Sequence, residues 1–115
     1  MSWSIEEALT DPVIRKPVIL VSEFRFYLRD IPTEITTRLY RPLHSGNLIA
    51  RKSHDISIKD LKEIPVAEEL DDEAARNEGE VLHNVVHQMV ATYNAARAQG
   101  LTPDASWLKP NDDFH

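Results

Sequence analysis

Apolar and polar positions alternate most clearly in VILVSEFRFYL, residues 18–28. Leu20, Phe24, Phe26 and Leu28 fall on one side, with Ser22 the single polar interruption. Ile19, Val21, Glu23, Arg25 and Tyr27 fall on the other. A period of two in β-branched and aromatic residues predicts a strand. ITTRLY, residues 35–40, repeats the pattern, with Ile35, Thr37 and Leu39 set against Thr36, Arg38 and Tyr40. Pro42 and Gly46 then break the ladder, since proline donates no hydrogen bond and glycine turns freely. LIARKSHDI, residues 48–56, reads as a third strand. Short loops between consecutive strands predict an antiparallel meander. Residues 57–66 leave a fourth strand, a helical turn and an extended linker all open.

The rhythm then lengthens. Leu82, Val85, Val86, Met89, Tyr93 and Ala96 recur at helical spacing and predict a helix over 78–98. Asn77 followed by Glu80 offers a start, Gly79 weakens it, and Gly100 supplies the stop. The acidic run EELDDE leads in, where negative charge meets the positive end of the helix dipole. Ser4 and Glu7 have the spacing of a capping box, predicting a short helix over 5–10 before Pro12. Thr102 and Pro103 predict a further turn or two that returns Trp107 and Leu108 to the core. Residues 109–115 read as a loose tail. The expected fold is α+β in one domain, residues 1–115. A three- or four-stranded antiparallel meander is covered on one face by the long C-terminal helix, with short helical turns near both ends.

Composition narrows the chemistry. At 115 residues, 42% hydrophobic and 28% charged, the chain matches one globular domain rather than a disordered one. It contains no cysteine, which removes disulfides, thiolate catalysis and cysteine-ligated metals. The opening MSWSIEEAL is acidic where a signal peptide is basic and then apolar, and no apolar run approaches the roughly 20 residues of a membrane span. A cytoplasmic protein is expected. The net charge of −6 is uneven: residues 1–59 carry nine Lys/Arg against seven Asp/Glu, and residues 60–115 carry four against twelve. The second half repels polyanions, which disfavours generic nucleic-acid binding.

Two clusters invite a functional reading. His83 and His87 lie four apart on one helix side, the spacing zinc enzymes use. Those enzymes place a glutamate directly after the first histidine, and here that position is Asn84. A third ligand would have to come from Glu80, His44 or His54, so the pair is expected to flank the apolar stripe and hold no metal; no cofactor is expected. The second cluster is the sheet face away from the helix, with Arg25, Tyr27, Arg38, Tyr40 and Arg51. Interleaved guanidinium groups and rings suit phosphates and stacked bases, although Glu23 and Asp55 share that face.

Neither a phosphate loop nor a nucleophile in a G-x-S-x-G setting occurs. An enzyme would draw on His44, His54 or Asp55. The first strand, long and without internal proline, is expected at a sheet edge that the Trp3 helix, the KEIPV segment or a second copy must cover. The chain therefore reads as a small acidic protein that binds another protein or itself without catalysis, in the manner of an antitoxin, an immunity protein or an accessory subunit. The alternative is a small nucleic-acid or anionic-ligand binder that uses the arginine face.

Overall fold

Alternation along the first strand survives folding, but its phase slips once. The computed structural model describes residues 2–43, 46–63, 65–66 and 68–114; His44 lies outside them. Strand β1 (Val18–Phe26) pairs antiparallel with β2 (Ile35–Pro42), which pairs antiparallel with β3 (Ile49–Lys52), in the order β1-β2-β3. Leu20 lies opposite Tyr40, whereas Ser22 lies opposite Leu39, so Val21 is an extra residue in a bulge. One inserted residue exchanges the faces of everything before it. Ser22, Phe24 and Phe26 therefore share the inner face with Leu39, Thr37 and Ile35. Leu20, expected beside the phenylalanines, turns to the outer face and is 50% exposed.

The third strand is shorter than its sequence suggests because it changes partner at Ser53. The Ser53 amide donates to the Thr36 carbonyl at 2.8 Å, and the Ser53 hydroxyl accepts from the Thr36 amide at 2.8 Å, in place of the Ser53 carbonyl. That carbonyl accepts instead from the Asn111 amide at 2.8 Å. Beyond Ser53 the chain continues as β4 (His54–Ile56), paired antiparallel with β5 (Leu108–Pro110) in a separate two-stranded sheet. Among the described residues of 57–66 there is no strand. Part of the segment expected as a loose tail thus supplies a strand instead.

Three short elements and one long helix complete the chain. Helix α1 (Ile5–Ala8) is capped by Ser4, whose hydroxyl accepts from the Glu7 amide at 3.0 Å. The acidic run caps a separate helix, α2 (Asp72–Ala75), through Asp71. Helix α3 (Glu78–Ala98) opens on Asn77, whose side chain accepts from the Glu80 amide at 3.0 Å. It closes on Gly100 at φ 81°. The Gly100 amide donates to Arg97 and the Leu101 amide to Ala96, each at 3.0 Å. This is a Schellman closure, which needs a left-handed residue that glycine adopts without penalty.

The buried face of α3 comprises Val81, Met89, Thr92, Tyr93 and Ala96, a stripe rotated slightly from the one the sequence predicts. Met89, Tyr93 and Ala96 form the core with Leu28, Ile31, Ile35, Leu61, Trp107 and Leu108. Tyr93 meets Trp107 edge-on, with ring centres 5.7 Å apart, and its hydroxyl donates to the Arg29 carbonyl at 2.9 Å. Trp107 closes a 3₁₀ turn (Ala105–Trp107) capped by Asp104 rather than by Thr102. Both Trp107 and Leu108 return to the core as their spacing suggested.

Candidate interaction surface

Strand register gathers the expected arginines and tyrosines on one outer face. Arg38 lies opposite Arg51 in β3 and opposite Glu23 in β1, Arg25 lies opposite Thr36, and Tyr40 lies between Leu20 and Ile49. Tyr27, just past β1, joins them by donating its hydroxyl to Glu34 at 3.2 Å. The five side chains are therefore neighbours, but two of the three guanidinium groups are already engaged. The Glu23 carboxylate accepts from Arg38 Nε at 2.7 Å and from Arg25 Nη2 at 3.0 Å. Those two guanidinium groups, Arg38 first, hold Glu23 below its ordinary pKa, since an opposite charge favours the ionised form. Hydrogen bonding of its guanidinium to Glu23, and then to Tyr40, pushes Arg38 above its ordinary value. The negative charge of Glu34 raises Tyr27.

Aromatic rings lie against two of the guanidinium groups. Phe114 lies against Arg38, its ring centre 4.5 Å from the guanidinium carbon, and Tyr40 lies 5.3 Å from that of Arg51. Both are cation–π contacts. Phe114, in the segment expected as a tail, is the residue of this face that sequence reasoning missed. No periodicity marks an aromatic that arrives after β5.

The other candidates stay apart. The His83 and His87 rings stack with centres 5.5 Å apart and planes 22° apart, and both residues are exposed, as is Glu80. Among the described residues no three His, Asp or Glu side chains come together as a metal site. His54 shares a hydrogen bond of 2.8 Å with Ser53, while Asp55 pairs with Lys52 at 3.3 Å. Adjacent strand residues point to opposite faces, so His54 and Asp55 do not converge on one substrate.

The edge of β1 has a different character. Its other side is occupied by β2, and among the described residues no strand lies on the open side. Of the two covers expected from within the chain, the α1 segment leaves Trp3 76% exposed, and the described part of KEIPV bonds to α3 instead, the Pro65 carbonyl accepting from Gln88 Nε2 at 2.5 Å. Beside the first half of the strand, Leu20 continues across Tyr40 to the exposed Ile49. Next to that row, Ile14, Pro17, Val18, Pro42 and Leu43 line an open apolar groove of about 900 Å³. No helix among the described residues is long and apolar enough to cross a membrane.

Searches against protein-family models, curated proteins and solved structures returned no match. The surface itself has to carry the reading.

Proposed function

We propose that this chain is a non-catalytic protein–protein interaction module working through the open side of β1 and the apolar row beside it. The observation that carries this reading is the pairing deficit of β1, a nine-residue strand with one strand neighbour among the described residues. Unpaired amides and carbonyls in a row are a template for another strand, and proteins ordinarily hide them. The amount of exposed surface points the same way. The chain exposes 8290 Å² at a mass of 13.1 kDa, against about 6,400 Å² for a compact monomer of that size. The surplus of about 1,900 Å² exceeds the roughly 800 Å² each partner contributes to an ordinary specific interface.

The second reading, an anionic-ligand or nucleic-acid binder, rests on Arg51, which stays exposed beside Tyr40. Its neighbours weaken it: Glu23 spans two of the three arginines, so an incoming phosphate has to displace an existing ion pair.

Affinity capture with the wild-type chain and with Leu20→Lys tests the main reading. A stoichiometric protein, another copy included, is retained by the first and lost from the second, which still unfolds cooperatively. Retention of no protein overturns it. Heparin binding that disappears in Arg25→Ala, Arg38→Ala or Arg51→Ala replaces it with the second reading.

A further inference from the structure

We infer that β1 pairs antiparallel with β1 of a second copy, in the register that places Phe24 on the two-fold axis. This rests on the reading of the β1 edge as an interaction surface and names its occupant. The argument comes from the sequence of the strand after its bulge, Ser22-Glu23-Phe24-Arg25-Phe26. This stretch is regular, lacks proline and lysine, and alternates an inner face of Ser22, Phe24 and Phe26 with an outer face of Glu23 and Arg25. It lacks the proline and lysine that commonly blunt an edge, and the bulge at Val21 lies before it.

Two copies related by a two-fold axis can pair in few ways. A register centred between two residues sets an inner-face residue of one copy opposite an outer-face residue of the other, which turns a greasy face to water. A register centred on Glu23 sets that carboxylate against its own copy, and one centred on Arg25 does the same with two guanidinium groups. Like charges directly opposite each other are destabilising. Centring on Phe24 pairs Glu23 with the partner's Arg25 twice over and Ser22 with the partner's Phe26, and brings the two Phe24 rings together. Both faces then continue across the junction, giving a six-stranded sheet with both α3 helices on one side. The exposed Leu20 of each copy also comes within a residue of the partner's Tyr27, itself 59% exposed. Arg25, whose side chain is 61% exposed, exchanges its own Glu23 at 3.0 Å for the partner's, so the number of ion pairs is kept, while each Glu23 retains Arg38 at 2.7 Å.

The absence of native cysteine makes the register directly measurable. Light scattering on the full chain at tens of micromolar is expected to give twice 13.1 kDa. Under mild oxidation Phe24→Cys is expected to cross-link to itself, and an equimolar mixture of Glu23→Cys and Arg25→Cys to form the mixed disulfide. Leu20→Cys is expected to stay monomeric on a denaturing gel. The mixed pair keeps the test valid if Phe24→Cys fails to fold, since both its positions are exposed. Arg25→Glu alone is expected to weaken the dimer about tenfold, and mixing it with Glu23→Lys to restore association.

A mass of 13.1 kDa at these concentrations overturns the inference. So does a dimer that cross-links through Leu20→Cys but through neither Phe24→Cys nor the mixed pair. Either result, together with specific capture of a different protein, leaves the interaction-module reading standing and removes only the second copy as its partner.

Discussion

Thr37 is fully buried on the inner face of β2, between Ile35 and Leu39, and its hydroxyl has no hydrogen-bond partner among the described residues. A buried hydroxyl left unpaired forfeits its bonds to water, at a cost of about 1–3 kcal/mol. Thr37→Val replaces it with a methyl group of nearly the same shape and is expected to stabilise the protein by about 1 kcal/mol. Thermal denaturation reads this as a rise of about 4 °C in Tm; a fall shows that the hydroxyl has a partner in solution. On the opposite face Glu23 joins Arg25 and Arg38. Its folded-state pKa lies below the ordinary 4.5, so its contribution to stability is present above pH 4.5 and is lost as pH falls through the lowered value. Glu23→Gln is therefore expected to unfold at lower denaturant than wild type at neutral pH, with the two curves converging in acid. A gap that persists below the folded-state pKa excludes this ion pair as its source. Tyr27 has the opposite sign: its pKa is raised above 10.0, and its contribution is lost as pH rises through the folded value.

The elements divide into those set by local chemistry and one set by its neighbour. Helix α3 begins and ends where Asn77 and Gly100 place its caps, and both signals are visible in the sequence. Asn77→Ala is expected to cost about 1 kcal/mol by chemical denaturation, since it orphans the Glu80 amide. A cost below a few tenths would show that solvent replaces the cap. The end of β3 is the opposite case. Ser53 turns its hydroxyl toward β2 and its carbonyl toward Asn111, so one residue stitches the two sheets together. Ser53→Ala leaves the half-buried Thr36 amide without that acceptor and is expected to cost about 1–2 kcal/mol. Hydrogen exchange should report faster opening at Thr36 and Asn111, and unchanged protection at both would refute the stitch. Nothing in LIARKSHDI announces this role, because the partner lies more than fifty residues away.

At the scale of the whole molecule the chain is long for its size. Its principal extents are 62 × 27 × 20 Å and its radius of gyration is 17.1 Å, against about 13 Å for a compact domain of this length. The core gathers around Leu28, Ile35, Met89 and Trp107. Trp3, Ile5, Val13 and Val66 lie outside it and are exposed. A shape that leaves this much apolar surface in water gains stability from any partner that covers it, in proportion to the logarithm of partner concentration. With a second copy as the partner, Tm is expected to rise with protein concentration, and Arg25→Glu to move that rise to about tenfold higher concentration. A Tm independent of concentration over two decades counts against self-association.

Periodicity alone determined that β1, β2 and α3 exist, that they belong to an α+β fold, and that Arg25 and Tyr27, like Arg38 and Tyr40, share one side of their strand, whereas the strand order was the structure's to decide. Those features follow from backbone geometry repeating every two or 3.6 residues, which a linear pattern records directly. Tertiary structure decided the bulge at Val21 that turns Leu20 outward, the change of partner at Ser53, the strand made from Leu108–Pro110, and Phe114 lying on Arg38. Each depends on a contact between residues distant in sequence. The energy of such a contact belongs to the pair, and neither residue's own neighbourhood encodes it.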